Sequence, residues 1–189
     1  INNTGQALKK GVKQMTQRYK PNTTVACVIH SQGQFLLVEE IIDGLVKFNQ
    51  PAGHLEANES LIDACSREIL EETGLAITPQ AIVGIYQFSA SDTLAFVRYT
   101  FCINLEQPLK ATPLDSAITR THWLSRAQIS ELGSQLRSPL VLNSIDDYIQ
   151  QAGLLNENTT ENVTQHNQAK SCPGHFPLSL INADYLHTH

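Results

Sequence analysis

The stretch Gly53–Leu75 reads GHLEANESLIDACSREILEETGL, and it constrains the chain more than any other segment. Neither Pro nor Gly interrupts Ser60–Thr73, Ser60 can cap the first turn with Asp63 three residues on, and Gly74 supplies a left-handed stop, so a helix is predicted here. At about 100° per residue, Glu68, Glu71 and Glu72 fall on one side of its last turns. Ile62, Cys65 and Ile69 form a neighbouring apolar stripe. One helix therefore anchors itself in a core and holds a carboxylate cluster at its edge. Arg67, four residues before Glu71, can neutralise or orient part of that cluster.

Three acids at the C-terminal end of a helix repel one another and face the negative end of the macrodipole, so a cationic partner is expected. Carboxylate oxygens at close quarters suit a hard divalent ion, and Mg²⁺ typically takes one or two carboxylates, several waters and substrate phosphates. The plainer alternative is a solvated charged face. Spacing separates the two. The segment resembles the signature of the Nudix hydrolases, G-x5-E-x7-R-E-U-x-E-E-x-G-U with U a bulky aliphatic residue, and its nine specified places hold Gly53, Glu59, Arg67, Glu68, Ile69, Glu71, Glu72, Gly74 and Leu75. That resemblance implies the Nudix fold, an α/β/α sandwich with a mixed β-sheet and the signature loop-helix, for residues 21–152.

The chain around the signature agrees with an α/β arrangement. Thr23–His30 and Phe35–Glu40 are β-branched and apolar runs separated by Ser-Gln-Gly-Gln, which makes a hairpin. Leu45–Phe48 leads into the loop Asn49-Gln50-Pro51-Ala52-Gly53. Ala81–Phe88 and Ala95–Leu105 read as strands joined by the polar Ser89–Thr93, a loop able to reach a substrate. Thr119–Leu124 is a short strand, Ser125 caps a short helix, and Ser138-Pro139 starts another with Pro at its first position.

Outside that body, residues 1–20 carry Lys9, Lys10, Lys13, Arg18 and Lys20 without an acid and predict a basic amphipathic helix. Residues 153–175 read as a flexible polar insertion, dominated by Asn, Thr, Gln and Glu. Residues 176–189 regain apolar side chains and are expected to dock back on the domain.

At 189 residues and 41% hydrophobic content, the chain can bury one respectable core. No apolar run approaches the about 20 residues needed to span a bilayer, and no signal-peptide pattern opens the chain, so no membrane partner is expected. Thirteen Lys and Arg against eighteen Asp and Glu give no support to broad attachment to nucleic acid. Cys27, Cys65, Cys102 and Cys172 form no C-x-x-C pair, which argues against zinc and for a reduced, cytoplasmic protein. His30 and His122 fall in strands and read as structural.

The family resemblance implies roles residue by residue. Glu68 and Glu72 look like principal metal ligands, Glu71 a further ligand or the base, and Arg67 a residue orienting Glu68. The backbone carbonyl of Ala52, beside Gly53, is a further candidate ligand, and Glu59 braces the loop. Asp115 is the candidate for a carboxylate outside the signature, against the plainer reading of a loop Asp. His54 and Glu56 either touch phosphate or stabilise the turn.

The flanking phrases TVACVIH, FNQPAGHLEANESL, THWLS and LRSPLV, with HFPLSLI after the insertion, resemble a bacterial branch of the family. That branch removes orthophosphate from nucleoside di- and triphosphates and from thiamin-type pyrophosphates, hydroxymethylpyrimidine pyrophosphate among them. Mg²⁺ is the implied cofactor, with Mn²⁺ as a substitute, a small phosphoanhydride is the partner, and the chain is a monomer or homodimer. Phe48 stands where a tryptophan is usual in that branch, which bears on ring stacking. The alternatives are another Nudix specificity, for ADP-ribose, a dinucleoside polyphosphate or 5′-RNA, and a non-catalytic ligand-sensing module, which would normally have lost a signature glutamate.

Overall fold

The computed structural model describes residues 19–91, 93–154 and 175–181. The predicted N-terminal helix and the polar insertion fall almost wholly outside the described residues. β1 (Asn22–Ser31) and β2 (Gln34–Ile42) form the predicted hairpin, turning at Gln32 and Gly33, both with positive φ. The two strands stay paired only near the turn, at His30 with Phe35 and Ser31 with Gln34, and then diverge.

Each arm collects its own neighbours. β2 lies between β3 (Leu45–Asn49) and β7 (Ile118–Ser125), antiparallel to both. β1 lies between the short β4 (Ala52–His54), antiparallel to it, and β6 (Ala95–Asn104), which runs parallel. β5 (Ala81–Ser89) pairs with β6 on its far side, and β8 (Phe176–Pro177) adds to the outer edge of β5. The sheet is therefore mixed.

Helices cover both faces, and the period-2 geometry of the strands explains how. Val25, Cys27 and Ile29 of β1, with Leu36 of β2, pack against Ala64, Cys65 and Ile69 of α1 (Leu61–Thr73). Val28, Phe35 and Leu37 point the other way, to Ile129 of α2 (Arg126–Leu132) and Val141, Ile145 and Tyr148 of α3 (Leu140–Gln151). A strand buried on both sides reads as a continuous apolar run, which is why TVACVI shows no alternation. This is the expected α/β/α sandwich.

Two strands differ from the sequence expectation. Leu45–Asn49 is a full strand rather than a lead-in, and Ala52–His54 pairs with Ala26, Val25 and Thr24 although Pro51-Ala52-Gly53 has turn chemistry. Pro139 is the N-cap of α3 rather than its first residue. His30 is a core residue, with Nδ1 3.0 Å from Asn104 Oδ1, and Glu39 Oε2 lies 2.8 Å from His122 Nε2. Among the described residues no helix is long and apolar enough to cross a membrane.

α1 is held at both ends by local chemistry. Ser60 Oγ accepts the Asp63 amide at 3.0 Å, and Gly74, at φ 71°, donates its amide to Leu70 at 2.8 Å. The loop before β7 closes the C-terminus further. Thr112 donates to the Thr73 carbonyl at 2.7 Å, while the amides of Leu114 and Asp115 both donate to the Glu71 carbonyl at 2.8 Å. These three bonds satisfy carbonyls that a helix end otherwise leaves open. A Cβ on Gly74 would strike the Thr112 carbonyl, so this glycine is required by its φ and by contact.

Gly74→Ala is expected to lower unfolding free energy by about 1–3 kcal/mol. Gly44→Ala, at a similar φ of 76° but with open space around its Cβ, should lose less. Urea titrations of the two variants measure the difference, which reports the loop contact alone.

Candidate active site

The last two turns of α1 lie against β4, and this contact shapes the site. Arg67 is its hub. Its Nε and Nη2 donate to Glu59 at 3.0 and 2.8 Å, Nη2 also reaches the His54 carbonyl at 3.0 Å, and Nη1 donates to Glu68 Oε1 at 2.7 Å and Glu71 Oε2 at 3.3 Å. Glu59 also accepts the Glu56 amide at 2.6 Å, so the loop leading into α1 is clamped to the helix. Hydrogen bonding from Arg67 holds the Glu59 carboxyl below its usual range, and the Glu59 carboxylate in turn strengthens the hold of Arg67 on its proton.

Glu68 and Glu72 turn inward. Glu72 Oε2 accepts the Ala52 amide at 2.9 Å. The Glu68 carboxylate presses so closely on the backbone at Gly53 that any Cβ there would collide with it. The φ of Gly53 is unexceptional, so close approach, not backbone conformation, requires this glycine. Glu71 stays outside, with 47% of its side chain exposed against 12% for Glu68. The three acids thus share a helix end but not an environment.

Burial raises the Glu72 carboxyl to about 8, opposed by the Ala52 amide and reinforced by the charges of Glu68, Glu40 and Asp115. Burial raises Glu68 as well, against the pull of Arg67. The donor set fits a hard divalent cation: oxygen ligands, withdrawn from water, with more negative charge than the nearby cations neutralise. Among the described residues no three His, Cys, Asp or Glu side chains converge as a closed cage. An open pair of carboxylates matches an ion that completes its shell with water and substrate oxygens.

A cavity of about 350 Å³ opens beside Glu72, lined by Thr24, Asn49, Ala52, Gly53, His54 and Glu72 on the signature side. His54 therefore faces the cavity. Glu56 is exposed and does not line it. Asp115 is exposed, with Oδ1 accepting the Ala117 amide at 2.8 Å, and reaches Glu72 only by its charge. Phe48 corrects an expectation: it is buried in the core with Ile129 and Val141, edge-on to His122 at 5.5 Å, because the alternation of β3 turns it away from the cavity. Its carbonyl instead holds the Arg137 amide at 2.8 Å.

The remaining lining was missed in the sequence. Arg98 of β6, Arg137 and Ser138 before α3, Glu40 of β2, and Phe88, Ala90, Leu94 and Phe96 complete the cavity, with the two Phe rings stacked at 5.0 Å and 13°. Arg98 is buried, and that burial, with Arg137 nearby, loosens its hold on the proton while Glu72 strengthens it. Arg137 pairs with Glu40 at 3.1 Å. A lone arginine in AFVRYTF carries no motif, and LRSPLV marks a branch of the family without giving Arg137 a role, so only the folded chain brings the two to the signature.

The NUDIX domain family matches residues 19–142, and the chain belongs to it: it is a Nudix hydrolase. Nudix hydrolases in general use divalent metal ions. Within that family it is similar to Phosphatase NudJ of Escherichia coli strain K12, with 48% identity over 130 residues, 69% of this chain and 84% of that protein. Phosphatase NudJ of Shigella flexneri matches with the same 48% identity. Among solved structures, a NUDIX hydrolase from Nitrosomonas europaea shares 39% identity at a TM-score of 0.67, over 86% of this chain and 97% of that one.

The raised carboxyl of Glu72 predicts a pH dependence in the cation-free protein. Its ordinary value is 4.5 and the fold moves it to about 8, so over that interval the unfolded chain loses its proton first and stability falls as pH rises. In chelator, urea midpoints are expected to decline between about pH 5 and pH 8. Glu72→Gln should flatten that decline and raise the midpoint at the alkaline end.

Proposed function

We propose that the protein is a Mg²⁺-dependent phosphohydrolase that releases orthophosphate from nucleoside di- and triphosphates and from thiamin-type pyrophosphates such as hydroxymethylpyrimidine pyrophosphate. The observation that carries this reading is a pair of carboxylates withdrawn from water, Glu72 lining a cavity that also contains two arginines and Glu68 packed against Gly53 of the same lining. The likeness to Phosphatase NudJ supports the choice of phosphatase over other Nudix chemistries.

Glu68, Glu72 and the Ala52 carbonyl would hold the ion, with Glu71 as a further ligand or the base and Asp115 as an outer carboxylate. When bound, Mg²⁺, or Mn²⁺ in its place, neutralises phosphoryl oxygens and lowers the pKa of a coordinated water. The protein residues do the rest. Arg67 fixes the Glu68 carboxylate through its 2.7 Å bond, and the Glu59 clamp fixes Arg67. Glu71 has only a 3.3 Å bond to Arg67 and the most contact with solvent, which suits a group that accepts a proton from water. Phe88, Phe96 and His54 offer flat surfaces for a heterocycle. A cavity of about 350 Å³ suits one ring system with a short phosphate chain better than a dinucleoside polyphosphate.

Incubation with UDP, GTP and thiamin pyrophosphate in Mg²⁺ is expected to release orthophosphate, measured by a phosphate assay and product chromatography. Release of nucleoside monophosphate with a sugar phosphate from ADP-ribose, and nothing from the first three, would move the reading to the ADP-ribose class. Glu68→Gln and Glu72→Gln are each expected to lower kcat/KM at least about 100-fold. Full turnover by Glu72→Gln would refute its role as a ligand.

A further inference from the structure

Among the described residues, Arg98 is a buried charge with donors that no partner meets. It sits in the middle of β6, in register with Thr24 of β1 and Tyr86 of β5, and is only 9% exposed. Neither its Nε nor its Nη1 makes a hydrogen bond. A buried guanidinium with idle donors is strongly unfavourable, since its charge has left water without full compensation.

Its surroundings do not relieve this. Glu72 attracts it, but Glu72 Oε2 is already bonded to the Ala52 amide, and burial favours the protonated acid. Arg137 lines the same cavity and repels it. Ser138 lines the cavity too, and its buried Oγ makes no hydrogen bond. Arg98, Arg137 and the Ser138 hydroxyl share one small space; Glu40, in the same lining, answers Arg137, while the Nε and Nη1 donors of Arg98 and the hydroxyl of Ser138 are unspent. An anion with several oxygens would remove the repulsion and use the idle donors together. A planar guanidinium matches phosphoryl oxygens two at a time.

We propose that Arg98, with Arg137 and Ser138, forms a phosphoryl-binding subsite beside the Glu68 and Glu72 carboxylates, in which Arg98 grips non-reacting phosphate oxygens. The ligand class is a phosphate or pyrophosphate group, and its identity as part of a substrate rests on the hydrolase reading above. Arg98 is then a binding and specificity residue: it makes the cavity demand a phosphate chain, not merely a ring. The competing role is that of a buried counter-ion for Glu72, with no ligand of its own.

The test uses the full chain, with inorganic pyrophosphate and Mg²⁺ as separate probes. Pyrophosphate is expected to raise the melting temperature of the wild type, Arg98→Gln to abolish that rise, and the rise given by Mg²⁺ alone to persist in the variant. KM for a phosphoanhydride substrate should increase about 10- to 100-fold. Arg98→Lys, which keeps the charge without the fork, should recover less than half of the pyrophosphate shift. The proposal is overturned if the wild type shows no pyrophosphate shift, if Arg98→Gln retains it, or if that variant loses only the Mg²⁺ shift, as a counter-ion would. Should Arg98→Gln fail to fold, an unchanged KM in Arg98→Lys would overturn it equally. If pyrophosphate binding depends on Arg98 while none of the proposed substrates is hydrolysed, the proposed phosphohydrolase specificity falls and the subsite stands.

Discussion

Two carboxylates one helical turn apart, drawn out of water at the negative end of the same helix, are the constraint that the surrounding structure answers. Glu68 and Glu72 repel each other, oppose the α1 dipole and lose hydration. Compensation comes from specific groups: Arg67 on Glu68, the Ala52 amide on Glu72, and three loop amides on the last carbonyls of α1. Each of these needs its own support. Arg67 is fixed by Glu59, Ala52 by pairing of β4 with β1, and the loop by the left-handed turn at Gly74. Most of the signature is therefore a scaffold for two side chains.

The compensation is incomplete, and that is informative. A fold selected for stability alone would replace the Glu72 carboxylate with a neutral group, because a half-buried acid without a cation is a net loss. Its retention at a cavity edge agrees with the general pattern in which strained electrostatics collect at functional sites.

Legibility in the sequence followed the range of the interaction. The bounds of α1 were readable because Ser60, Asp63 and Gly74 act within one turn, and the hairpin because its turn residues lie between two apolar runs. β4 was not readable, since three residues after a proline become a strand only through Thr24–Ala26, a partner distant in sequence. Phe48 misled through adjacency: it stands next to the loop that builds the site, yet strand alternation sends its ring into the opposite core. The spacing put Glu68, Glu71 and Glu72 on one side of the helix, and the resemblance set Glu71 apart in role, but that Glu71 is far more exposed than Glu68 is read only from the fold.

Arg98 shows the limit most clearly, because burial of a charge has no sequence signal. In AFVRYTF it has the look of an outward-facing strand residue, and only the covering of β6 by its neighbours withdraws it from water. Its deficit is the mirror image of the one at α1. The helix end carries more negative charge than Arg67 neutralises, while two donors of Arg98 lack acceptors. On the proposed reading, a divalent ion would serve the carboxylates and a phosphate would serve Arg98. A cation carried on a pyrophosphate would serve both at once, and so would couple the two binding events.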